Sequence, residues 1–130
     1  ETAWAFGADC GIDDLDAVTK ANYLYNELGL DTISTGATIA CAMDMFTAGI
    51  LKPADTDGLA LEFGSAEVLV EMVRKIAARD GFGDKLALGS RRLSEALGHP
   101  EFSMTVKGQE LPAYDPRAVA AVAYRRERGA

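Results

Sequence analysis

Apolar residues recur at three- and four-residue spacing along most of the chain, and glycine or proline breaks the pattern between segments. Between Gly11 and Gly29, the positions Leu15, Val18, Ala21, Leu24 and Leu28 predict one helix with a single buried stripe. Asp13 or Asp14 is placed to cap its start, where a carboxylate suits the positive end of the dipole. Gly29 stands where a left-handed residue closes a helix. A second helix is predicted from Asp31 or Thr32 to about Ala48, with Ile33, Ala37, Ala40, Cys41, Met45 and Ala48 on its buried side. Its first half, Ser34-Thr35-Gly36-Ala37-Thr38, is small and hydroxylated. Such a surface admits either a flat ligand or a tightly packed neighbouring helix.

Turn-forming residues fill 52–64, and Ser65 is then expected to cap a third helix with Val68, Leu69, Met72, Val73 and Ile76 as its stripe, ending near Gly81. A fourth helix is predicted from Asp84 through Leu86, Ser90, Leu93 and Leu97 to Gly98. Alternation around Met104 and Val106 makes 103–111 a candidate extended segment. Pro112-Ala113-Tyr114-Asp115-Pro116 reads as a rigid corner, with Pro116 opening a final helix. The expected class is all-α, about five helices joined by Gly/Pro loops, forming one helical domain over 1–130.

A 48% apolar composition excludes a disordered tail, and 130 residues suffice for one core. The net charge of −7 argues against nucleic acid or an anionic membrane as a partner. Arg117, Arg125, Arg126 and Arg128 against Glu127 make the C-terminal end locally basic, as a solvated helix face or an anion site. No apolar run reaches the ~18 residues of a membrane span. The two cysteines, Cys10 in a loop and Cys41 on a helix, form no metal clamp and no disulfide framework, which points to a reducing, cytoplasmic location. Cys41 reads as a core residue, whereas Cys10 lies in a loop, where a thiol can be exposed. The lone histidine, His99, has a structural or solvent role beside Pro100, and Asp16, Glu27, Glu67, Glu71, Asp80 and Glu95 read as solvated helix faces. Because the chain starts at Glu1 and stops on Gly129-Ala130, both ends are read as cut.

The junction from Asn26 to Gly36 concentrates chemistry. One helix ends at Gly29, another begins within about two residues, and the free N–H groups of the new helix meet the Asp31 carboxylate and the hydroxyls of Thr32, Ser34 and Thr35. An aspartate there can accept from the N–H and NH2 groups of a heterocycle, the helix start can hold a phosphate, or Asp31 is simply an N-cap.

Four collinear blocks carry a family likeness: Gly7 to Leu15 (GADCGIDDL), Gly29 to Gly36 (GLDTISTG), Gly81 to Arg92 (GFGDKLALGSRR) and Val106 to Arg117 (VKGQELPAYDPR). In these stretches the chain resembles the tungsten-containing aldehyde ferredoxin oxidoreductases, as an internal piece of their helical C-terminal region. The resemblance implies a tungsten bis-pterin (tungstopterin) cofactor beside a [4Fe-4S] cluster, and oxidation of small aldehydes to carboxylic acids with electrons leaving to ferredoxin or an electron-transfer subunit. It also places the family's pterin motif, Asp-x-x-Gly-Leu followed by Asp or Cys, on Asn26, Gly29, Leu30 and Asp31, with Thr32 following. Asn26 departs from the motif's aspartate, exchanging a charged acceptor for an amide.

By the same resemblance, Glu1 matches a glutamate beside the metal, a general base or water-orienting group, and Tyr114 matches a substrate-side tyrosine. Read by themselves, they are a terminal residue and a corner residue packed on Pro112 and Pro116. The cluster cysteines, the second pterin motif, the β-rich cofactor domain and the active-site histidine all lie outside the chain. Residues 119–128 depart from the family's small, hydroxylated pattern. Alone, the chain is expected to be catalytically inactive, and apolar surface left by missing neighbours predicts self-association, with a homodimer as one form. Two rival readings accompany this one: a non-catalytic helical binding or assembly module, and a tungsten relative that reduces an aromatic acyl thioester.

Overall fold

A computed structural model describes residues 1–112. Helix dominates, and the all-α class holds. The order is a π-helical turn Ala3–Ala8, α1 Leu15–Leu28, α2 Thr32–Thr47, a 3-10 turn Pro53–Asp55, α3 Ala66–Ala78, α4 Phe82–Leu86, α5 Ser90–Ala96, a 3-10 turn Pro100–Phe102, and strands β1 Thr105–Val106 and β2 Gln109–Glu110. The strands form a small antiparallel hairpin, Thr105 opposite Glu110 and Val106 opposite Gln109. It lies in the segment expected to be extended. The Pro116-led helix, Tyr114 and the arginine-rich end lie outside the described residues.

Helix α1 starts where Asp14 accepts a hydrogen bond from the Ala17 N–H at 3.0 Å and stops on Gly29 at φ 71°. Its buried side is narrower than the expected stripe: Val18 and Ala21 are covered, whereas Leu15 and Leu28 are 72% and 47% exposed. Periodicity selects a side of the helix but not how far along it a neighbour reaches. Ser65 holds the N-cap position of α3 without a side-chain bond. α3 ends at Ala78, with Arg79 taking the left-handed position ahead of Gly81. The single helix expected from Asp84 to Gly98 is two, because Gly89 at φ 87° breaks the chain between α4 and α5.

Helix α2 is central, packed against the Ala3–Ala8 turn, α3, α4, α5 and β2. Ile39, Ala42 and Met43, not among the residues expected on the buried side, are fully buried, while Ala48, which was, is exposed. Because α2 is covered on several sides, no one-sided stripe could describe it. α1 packs on α3 and α3 on α4, and Phe6, Leu61, Leu69, Met72, Phe82 and Leu86 join one apolar core. At Gly36 a Cβ would lie 2.6 Å from the Ala5 carbonyl oxygen, so only glycine allows the Ala3–Ala8 turn to rest on α2. Cys10 is fully buried rather than exposed, its thiol directed at the carbonyls of Ala5 (3.4 Å) and Gly36 (3.7 Å). The small residues that bring the turn onto α2 also seal Cys10 beneath it. Among the described residues no helix is long and apolar enough to cross a membrane.

Candidate functional site

The α1–α2 junction is a tight reversal. The Leu30 N–H returns to the Tyr25 carbonyl at 2.9 Å, closing α1, and Asp31 at once caps α2 by accepting the Ser34 N–H on Oδ2 at 2.8 Å. The Thr35 N–H bonds the Asp31 carbonyl at 3.0 Å, which leaves the Thr32 and Ile33 N–H groups without intrahelical partners. Asp31 is exposed, and Ser34 engages only one of its two oxygens, so Oδ1 is available as an acceptor. No atom lies within 4 Å of where a Gly29 Cβ would stand, so the turn faces open space. Asn26 is exposed and donates through Nδ2 to the Asn22 carbonyl at 2.9 Å, which fixes its amide against α1 and leaves its oxygen available. Leu30 is half-buried, and Thr32 is buried at 7% exposure and serves packing.

Glu1 is exposed at the start of the chain, its carbonyl accepting the Ala5 N–H at 2.9 Å. Next to it, the Thr2 hydroxyl donates to Asn22 Oδ1 at 2.9 Å and lies 3.5 Å from the Tyr25 hydroxyl. Thr2, next to Glu1, is thereby tied to the α1 residues Asn22 and Tyr25. Tyr114, the other residue matched to catalysis, lies outside the described residues.

Two concavities border α2. A groove of about 270 Å³ beside the junction is lined by Leu30, Ser34, Thr35 and Thr38 together with Arg79 and Gly89. The small hydroxylated stretch admits a close neighbour, as its composition allowed. Gly36 receives a neighbouring backbone, and the hydroxyl residues face a groove. On another stripe of α2, a cavity of about 490 Å³ is lined by Trp4, Asp9, Cys41, Ser90, Phe102 and Met104. Burial pushes the Asp9 carboxyl up to about 6. Asp9 belongs to the block Gly7 to Leu15 but was not singled out by sequence. Its signal was position: a carboxylate in a stretch of small and apolar residues next to a cysteine. Burial, reinforced by Asp9, pushes the Cys10 thiol up to about 12, and burial with Asp44 and Glu110 nearby raises Cys41 to about 11, so both thiols are inert.

The profile described as "Aldehyde ferredoxin oxidoreductase, domains 2 & 3" matches residues 1–128. The chain belongs to the aldehyde ferredoxin oxidoreductase family. Two relatives named tungsten-containing aldehyde ferredoxin oxidoreductase, from Pyrococcus furiosus and Thermococcus kodakarensis, are 55% and 52% identical to it, each over 118 residues. Those alignments cover 90% of this chain and 20% of each relative, so the chain spans about a fifth of their length. A further relative, the WOR-like subunit of an aliphatic sulfonate oxidoreductase from Pyrococcus furiosus, is 30% identical over 118 residues, covering 86% of the chain and 19% of its own length.

Two groups that the resemblance implied, a pterin and a [4Fe-4S] cluster, can be set against these residues. A pterin's aminopyrimidinone edge presents N–H and NH2 donors beside a carbonyl acceptor. The junction offers the Asp31 carboxylate, the Asn26 amide and an open glycine turn, so its donors and acceptors fit one such edge. A [4Fe-4S] cluster takes about four cysteine thiolates. This chain has two cysteines, both buried and remote from that role, and its residues do not fit the cluster.

Proposed function

We propose that this chain supplies one pterin-holding face, and part of the substrate side, of a tungsten-dependent oxidoreductase that converts aldehydes to carboxylic acids and passes the electrons through an iron–sulfur cluster to ferredoxin. The observation that carries the reading is the Asp31 carboxylate. It is locked by the Ser34 N–H on one oxygen and available on the other, at a glycine turn with nothing above it. A carboxylate held in this way accepts from a heterocycle's N–H and NH2 groups without first losing a cap. Asn26 would add a neutral acceptor one helix end away, and Gly29 leaves room for the ring.

The chemistry assigned to the bound cofactor is removal of two electrons from the hydrated aldehyde. Converting an aldehyde and water to an acid releases two protons along with those electrons, so a base is needed. Glu1 would take a proton from the attacking water, a task that needs the dry surroundings the rest of the protein would provide. Tyr114 would donate a hydrogen bond to the carbonyl oxygen. Aldehydes are favoured over sulfonates as substrates because identity to the aldehyde-named relatives is 55% and 52%, against 30% to the sulfonate-named one.

Purified full-length protein tests the proposal by metal analysis and by aldehyde-dependent reduction of a viologen dye. Tungsten with aldehyde-dependent dye reduction is expected. A folded protein free of tungsten and inactive with every aldehyde offered would overturn the reading in favour of a binding module.

A further inference from the structure

The proposed pterin junction is tied to a residue far away in sequence. Glu110, half-buried on β2, accepts from Ser34 Oγ on Oε2 at 2.9 Å and from Ser90 Oγ on Oε1 at 3.0 Å. Ser34 lies in the first turn of α2, and Ser90 is the first residue of α5, only 1% exposed. Ser90 Oγ also lies 3.2 Å from Ser103 Oγ, and Ser103 donates to Thr105 Oγ1 at 3.3 Å, leading into β1. A Cβ on Gly89 would stand 3.7 Å from Glu110 Oε1, which places the carboxylate directly against the break before α5. One side chain thus joins the starts of two helices and the hairpin.

Ser34 is held at each of its polar groups. Its N–H caps to Asp31, its carbonyl accepts from Thr38 Oγ1 at 2.6 Å, and its hydroxyl goes to Glu110. The group that fixes the Ser34 side chain also bears on the residue whose backbone orients the Asp31 carboxylate. We infer that Glu110 is a positioning residue for the pterin junction. Through Ser34 it holds the first turn of α2, and with it Asp31, in the orientation that meets the ring. The bonds are charge-assisted, each a hydroxyl donating to a carboxylate oxygen, and are stronger than neutral equivalents. The inference rests on the proposed role of Asp31.

The test uses full-length protein carrying Glu110→Ala, Glu110→Gln, Ser34→Ala or the Ser34→Ala/Glu110→Ala pair. The readouts are tungsten and pterin per polypeptide and the rate at which pterin is lost on dilution. Glu110→Ala and Ser34→Ala are each expected to lower pterin retention about tenfold, the low end of the effect of removing an outer support. Glu110→Gln should stay within about twofold of wild type, since its amide oxygen can accept from one serine while its NH2 donates to the other's oxygen. The pair should be no worse than either single change, because both remove the same link.

Wild-type retention in Glu110→Ala and Ser34→Ala, a Gln variant as poor as Ala, or multiplying losses in the pair would each overturn the inference. Should Glu110→Ala fail to fold, Ser34→Ala removes only one hydroxyl and carries the same prediction. Wild-type protein without pterin would instead overturn the role of Asp31 itself, an outcome separable from the others.

Discussion

Replacing Gly36 by alanine probes the contact that sets the Ala3–Ala8 turn, and with it Glu1, upon α2. The new Cβ would lie 2.6 Å from the Ala5 carbonyl oxygen, 2.7 Å from the Ala5 Cβ and 2.8 Å from its carbonyl carbon. Comfortable heavy-atom contacts are about 3.5 Å, so the two segments must part by roughly 0.9 Å. The obstacle is backbone on a fully buried residue, and no rotamer change relieves it. Overpacking of this kind costs about 1–3 kcal/mol, and alanine's better helix propensity offsets about 0.5–1 kcal/mol of that.

The net loss of about 1–2 kcal/mol corresponds to a drop in melting temperature of roughly 4–8 °C for a chain of this size. Thermal unfolding of the 130-residue chain by far-ultraviolet circular dichroism reads it directly. Gly7→Ala is the matched control, since a Cβ there meets nothing closer than the Ile12 carbonyl oxygen at 3.5 Å, and it should melt at or above wild type. A Gly36→Ala chain as stable as Gly7→Ala would refute the close approach of turn and helix.

Other consequences can be checked independently. Asp9 has its carboxyl raised to about 6, so the folded state prefers it protonated, and its stability is greatest below about pH 4 and declines as pH rises to 6. Asp9→Asn should therefore stabilise the chain at pH 7 by on the order of 1 kcal/mol, a figure discounted for partial exposure, and flatten that decline in pH-dependent melts. Asp57, held below its usual range first by the Phe82 N–H and then by Lys75, has the opposite sign. Its contribution is present above its unfolded value and lost as pH falls through the folded one, so acid melts of Asp57→Asn should show a shallower loss than wild type. Cys10 and Cys41 should react with iodoacetamide at pH 8 on the order of a hundredfold or more slower than in urea, because burial suppresses their thiolates; equal rates, followed by mass spectrometry, would contradict the sealed turn.

Much of the fold could be read in sequence because its punctuation is local. Asp14, Asp31, Gly29 and Gly49 mark helix ends through caps and left-handed turns that depend on a few neighbouring residues. What was illegible depends on contacts distant in sequence. The Ala3–Ala8 turn has no periodic signature, and its place follows from Gly36, some thirty residues later in the chain. Gly89 falls inside the single helix expected from Asp84 to Gly98, yet the break it makes brings Ser90 to Glu110. At the junction, spacing showed a capped turn, and only the likeness to a family implied a pterin as its ligand. The structure then added that the Asp31 cap uses only one carboxylate oxygen.

Asp31→Asn in the full-length protein separates the cap from the ligand contact. Asparagine caps helices about as well as aspartate, so melting should change by less than about 0.5 kcal/mol. With its oxygen kept on the Ser34 N–H, the substituted amide turns an NH2 donor toward the ring's own donors. The account predicts a normally folded protein whose tungsten and pterin content falls about tenfold or more. Full tungsten and pterin occupancy in Asp31→Asn would contradict it.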